Sequence, residues 1–125
     1  MKKQERQVAF NTHLLLNVVL FIAKVNLESV TGFRIEGHAG YAKQGKDIVC
    51  AAVSALVMNT MNSIHSFTSD VFDYNEHEKR GLVDFRIVSE RSPETIVLLK
   101  SLILGLQGIR EEYGEKYLCI DFQNS

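Results

Sequence analysis

A chain of 125 residues, 46% hydrophobic and 23% charged, is long enough for one hydrophobic core and ordinary in composition for a globular domain. Its 14 Lys and Arg against 15 Asp and Glu leave a net charge of -1, which excludes the broad basic face of a dedicated nucleic-acid binder. Two cysteines, Cys50 and Cys119, do not make the dense disulfide framework of small secreted domains, so both read as reduced and the chain as cytoplasmic.

Residues 1–17 show no clean period and read as an N-terminal extension, disordered or foreign to the natural chain. Lys2, Lys3 and Arg6 ahead of the apolar stretch Leu14 to Ala23 faintly resemble a secretory signal. Against this, Glu5 sits in the basic part, Asn17 interrupts the apolar part, and no small-x-small cleavage site precedes Lys24. The run is also too short to span a bilayer, so no membrane partner is expected. Residues 18–125 read as a single domain.

Val18 to Val25 is a continuous β-branched and aromatic run, the pattern of a buried strand, and Asn26 to Ser29 supplies turn chemistry. Val30 to Glu36 alternates, with Phe33 and Ile35 on one face and Arg34 and Glu36 on the other, as a hairpin partner would. Asp47 is a good helix N-cap, and Ile48 through Ile64 follow without Gly or Pro. Apolar and small residues cover nearly every face of that helix to Met58, which predicts a mostly buried helix, against a sheet on one side and a second subunit on another. Phe67 to Tyr74 is a second extended segment, and Asn75 to Gly81 a charged connection. Leu82 to Val88 alternates, with Val83, Phe85 and Ile87 inward. Ser92-Pro93-Glu94 opens a second helix with the stripe Ile96, Leu99, Ile103, Leu106 and Ile109, and Gly114 stops it. Tyr117 to Phe122 is a last strand. The order ββαββαβ predicts an α+β domain: a largely antiparallel sheet of about five strands with two helices packed on it.

Between the second strand and the first helix, residues 37–54 hold three glycines, His38 and Cys50. Asp47, Cys50 and Ser54 are spaced three and four apart and so share one helical face. Cys50 falls in the first turn, where free amides and the helix dipole favour the thiolate that attacks carbonyl carbon. If the second strand lies against this helix, His38 approaches the same end, where it would keep Cys50 ionised and protonate a leaving amine. The amides of Cys50 and Ala51 are candidate oxyanion donors. Gly40 and Gly45 would let the loop between them open and close over a bound peptide, and Gly37, Ala39 and Tyr41 belong to the same substrate loop. The plainer alternatives are a buried inert cysteine, Asp47 as a cap alone, Ser54 bonded to its own helix, and His38 as an ordinary strand-end residue. His65 reads as a dipole partner after the helix end, and Cys119 as strand filler. A zinc site from His38, Cys50 and Cys119 lacks close-spaced ligand pairs, so neither metal nor cofactor is expected. Gly45-Lys46-Asp47 lacks the hydroxyl residue of a phosphate loop.

Gly37-His38-Ala39 followed by Gly45-x-Asp47-Ile48-Val49-Cys50-Ala51-Ala52-Val53-Ser54 resembles the signature of the ribosomal-processing cysteine protease family, Prp, and the resemblance runs from about Val18 onward. It implies that Cys50 is the nucleophile and His38 the catalytic histidine, with Asp47 and Ser54 in supporting positions. It implies a homodimer in which the glycine-containing loop from Ala39 to Lys46 covers the site. The implied substrate is the N-terminal extension of a large-subunit ribosomal protein (number twenty-seven), cut after a short apolar, aromatic-containing motif. The alternative is a noncatalytic dimeric ribosome-assembly module that binds the same protein without an ionised cysteine.

Overall fold

A computed structural model describes residues 16–23, 27–37, 48–77 and 82–124. The elements in chain order are β1 (Leu16–Ile22), a 3-10 turn (Leu27–Ser29), β2 (Val30–Glu36), α1 (Ile48–Phe67), β3 (Phe72–His77), β4 (Leu82–Ile87), α2 (Pro93–Tyr113) and β5 (Leu118–Asn124). The strands form one sheet in the order β3-β4-β2-β1-β5. β1 with β2, β2 with β4 and β4 with β3 pair antiparallel, and β5 lies parallel to β1. The expected α+β domain of five strands and two helices is what forms, with one parallel pair at its edge.

Both helices contribute to a core whose other half is one face of the sheet. Leu16, Val18 and Leu20 of β1, Phe33 and Ile35 of β2, Phe85 of β4, and Leu118 and Ile120 of β5 are buried with the inward stripes of α1 and α2. The register puts Leu20, Phe33 and Phe85 in one row, and the Phe33 and Phe85 rings stack with centroids 5.0 Å apart. On the opposite face, the row Phe21, Gly32, Arg86 has no side chain at its centre. The Arg86 guanidinium crosses that gap to lie 3.6 Å from the Phe21 ring centroid, which helps shield an aromatic ring that has no helix above it.

The sequence pattern needs four corrections. β1 begins at Leu16, inside the expected extension, and ends at Ile22 rather than Val25; an irregularity between Phe21 and Ile22 turns the strand, and the Ala23 amide donates to the Ser29 carbonyl at 3.0 Å. α1 continues to Phe67, because nothing before Thr68 breaks it; there the Thr68 amide and hydroxyl both donate to the Ile64 carbonyl. β3 accordingly starts at Phe72 and runs through His77, so its polar second half is strand rather than connection. Within the chain α1 buries only the stripe Val49, Val53, Val57, Thr60 and Ile64, leaving Ile48 and Met58 more than half exposed. By length and hydropathy this helix would also cross a bilayer, but that stripe is seated in the sheet core.

α2 starts as its sequence predicts: the Ser92 hydroxyl accepts from the Thr95 amide, Pro93 takes the first turn, and Gly114 at φ 102° ends the helix. Its buried stripe is Thr95, Leu99, Leu102, Ile103 and Leu106, rotated slightly so that Ile96 and Ile109 are only partly buried. Gly105 admits Leu56 of α1, since an added Cβ there would stand 2.6 Å from Leu56 Cδ1. Arg91 ties α2 to the first hairpin by donating to the Glu28 and Val30 carbonyls at 2.7 and 2.8 Å.

Candidate active site

The strands β2 and β4 sit at the centre of one half of the sheet, and α1 crosses above them. Between helix and strands lies a groove of about 640 Å³. Its floor includes Ile35, Val83 and Phe72 on the core face of the sheet, and its helix wall carries Cys50, Ser54, Met58, Met61 and His65. These wall positions recur every three or four residues, which is the spacing of one helix face.

Cys50 is the third residue of α1, half-buried, and packed against the edge of the hydrophobic core. Cys50 therefore stands at the positive end of the α1 dipole. Ser54 stands one turn further on and lines the same groove. Gly37 closes β2 at φ 102°, a conformation that side chains disfavour, and it too lines the groove. The two sides of the expected strand-to-helix junction therefore do meet at one cavity. His38, Ala39, Gly40, Tyr41, Gly45 and Asp47, named from the sequence as catalytic, loop and supporting residues, lie outside the described residues.

Cys119 is excluded from this site by the pleat. Leu118 and Ile120 are buried in the core, and Cys119 between them points to the opposite face of the sheet, 3.6 Å from the Asp121 carboxylate. Both cysteines are thiols rather than disulfide partners.

β3 supplies a wall that the sequence pattern did not reveal. Phe72, Tyr74 and Glu76 alternate along the strand and all line the groove. The Phe72 ring tilts against Phe85 at 4.7 Å and meets His65 edge-on at 6.3 Å. His65 thus belongs to the last turns of α1 and to the groove, not to a segment beyond the helix. The Tyr74 hydroxyl donates to Glu76 Oε1 at 2.7 Å, and this bond, then partial burial and the nearby carboxylate charge, pushes the phenol up to about 12. The period-two spacing of these three residues was the available signal. The polar side chains of Glu76 and His77 disguised it as a loop.

A half-buried thiol at a helix start, opening into a long and mainly apolar groove, can serve nucleophilic attack on an extended peptide. Comparison with known proteins gives the family. The family model described as cysteine protease Prp matches residues 18–118. The ribosomal processing cysteine protease Prp of Staphylococcus aureus is 36% identical over 86 residues, covering 69% of this chain and 81% of that relative. A crystal structure of the S. aureus protease with a covalently linked product peptide superposes with a TM-score of 0.76 at 31% identity, covering 87% of this chain and all of that one. A second, with a substrate peptide, gives 0.75 at 29% identity with the same coverage. The match spans both strands beside the groove, α1 with Cys50, and α2, and on that extent the chain belongs to the Prp family of cysteine proteases.

Proposed function

We propose that this chain is the cytoplasmic endopeptidase that removes the N-terminal extension of a large-subunit ribosomal protein (number twenty-seven) during ribosome maturation. The observation that carries the reading is Cys50, placed in the first turn of α1 and lining a mainly apolar groove of about 640 Å³. The ribosomal processing role named for the S. aureus relative, and its structures with substrate and product peptides, support the same direction.

In this mechanism the Cys50 thiolate attacks the scissile carbonyl, and the first-turn amides of Cys50 and Ala51 stabilise the oxyanion that develops. Collapse of the tetrahedral intermediate breaks the C–N bond, and the leaving amine takes its proton from the His38 imidazolium. A thioester remains. His38 then removes a proton from water, which attacks the thioester, and Cys50 leaves as thiolate. Asp47 and Ser54 support the nucleophile, while the segment with Gly37, Ala39, Gly40, Tyr41 and Gly45 covers bound peptide. The working unit is a homodimer, a reading supported by the exposed apolar side chains of α1, Ile48 at 55% and Met58 at 57%. No metal or cofactor takes part.

Incubating the pure protein with the ribosomal-protein precursor and weighing the products tests this. A mass loss equal to the extension is expected, and Cys50→Ala should abolish it while leaving the circular dichroism spectrum unchanged. Cleavage retained in that variant, or complex formation with no mass change in the parent, overturns the assignment.

A further inference from the structure

The groove is apolar along most of its length, yet one carboxylate stands in it. Among the described residues that line it, Glu76 is the only acid, and no Lys or Arg is present. The remaining ionisable groups there are Cys50, Tyr74, His65 and His77. Tyr74 donates to Oε1 of Glu76 at 2.7 Å. Among the described residues the ion pairs are Arg34 with Asp84, Arg86 with Asp84, and Lys100 with Glu28, so none of these cations neutralises Glu76. A carboxylate with one oxygen fixed by a phenol and the other available is a preformed acceptor for a cationic donor.

Its position relative to the groove floor follows from the register. Glu76 pairs with Val83, and Val83 pairs with Ile35, so Glu76 stands two strands out from Ile35, about 10 Å at the usual strand spacing. For an extended peptide laid across the strands, which advances about 3.3 Å per residue, a side chain roughly three residues from the one above Ile35 comes level with Glu76. Binding removes water from the groove and strengthens a charge-assisted bond formed there.

We propose that Glu76, positioned by Tyr74, is a specificity-determining residue that selects peptides carrying one cationic group, a lysine or arginine side chain or a free α-amino group, within an otherwise apolar cleavage sequence. The inference rests on the protease reading above, because it takes the peptide to lie in the groove that Cys50 lines. The pairing with Tyr74 keeps the carboxylate at a fixed height on an exposed edge strand, where an unsupported glutamate would sample many rotamers.

The test uses the intact protein and a ten-residue fragment spanning the precursor's cleavage site, in N-acetylated and free forms. Each position outside the scissile pair is changed in turn to Lys, Gln and Glu. One position, or the free amino terminus, should favour the cation over its neutral counterpart by about five- to tenfold in kcat/KM, mostly through KM and less at high salt. The acetylated set separates a side-chain cation from the amino terminus. Glu76→Gln should reduce that ratio to within roughly twofold, and Glu76→Lys should invert it in favour of the Glu peptide. In Glu76→Gln the Tyr74 phenol should also fall from about 12 toward its ordinary 10.0 in an ultraviolet titration. Absence of a cation preference at every position, or its survival in Glu76→Gln, overturns the proposal. Failure of the wild-type protein to cut any of the fragments overturns the protease reading and this inference with it.

Discussion

Replacing Gly32 by alanine should damage the sheet at the strand pair that underlies the groove. A Cβ at position 32 would stand 2.3 Å from the Phe85 carbonyl oxygen and 3.0 Å from Arg86 Cα, both backbone atoms that cannot rotate away. β2 and β4 must therefore part by about 0.7 Å before the contact reaches even the 3.0 Å limit. That displacement carries Phe85, whose ring is held between Phe33 at 5.0 Å and Phe72 at 4.7 Å. Overpacking of this kind costs about 2 kcal/mol, or roughly 8 °C in Tm for a domain of this size. Thermal melts followed by circular dichroism at one protein concentration provide the measurement. Gly108 is the internal control. It lies in α2 with nothing within 4 Å of an added Cβ, so Gly108→Ala should be neutral or stabilising by up to about 1 kcal/mol. A Gly32→Ala protein melting within about 1 °C of the parent would refute the steric argument.

Asp70 accepts from the Ser92 amide at 2.8 Å and the Ser92 hydroxyl at 2.9 Å. Its carboxyl is held below the ordinary 3.8, chiefly by the Thr95 hydroxyl and then by the Ser92 amide, with slight burial opposing. A depressed folded-state value means stability that is present above pH 3.8 and lost as pH falls through the folded value. Asp70→Asn should thus melt lower than the parent at neutral pH, and the two melting curves should converge in acid; a pH-independent gap would contradict this. Alkylation followed by peptide mass analysis should modify Cys50 faster than Cys119 at neutral pH, by about tenfold or more, since only Cys50 sits in a helix's first turn. Equal rates in the native protein would count against a thiol activated by that placement.

Local chemistry made much of this structure legible. The alternation at Phe33 and Ile35 and at Val83, Phe85 and Ile87 marks strands because each pleat turns successive side chains to opposite faces. Ser92 and Pro93 mark the start of α2 because a side-chain acceptor and a preset φ suit a helix's first turn. The pairing of β5 with β1 was not legible, since parallel neighbours about a hundred residues apart leave no local turn signal. The extent of β3 was hidden because an edge strand can carry Glu76 and His77 into solvent as a loop does. For the same reason the contiguous block around Gly37, Cys50 and Ser54 showed one side of the groove, while Tyr74 and Glu76 opposite needed the sheet to be seen.

The late arrival of β5 has a consequence for the chain during synthesis. Leu16 pairs with Leu118, so the outer edge of an apolar strand waits for one synthesised about a hundred residues later. Until residues 118–124 leave the ribosome, the backbone donors and acceptors along Leu16–Ile22 are open to any strand of matching character, including the same strand on a neighbouring nascent chain. A chain released at Tyr117 should therefore sediment as aggregates, whereas the full-length chain stays dispersed. The last seven strand residues act as the chain's own guard against that association, and they add nothing to the groove itself.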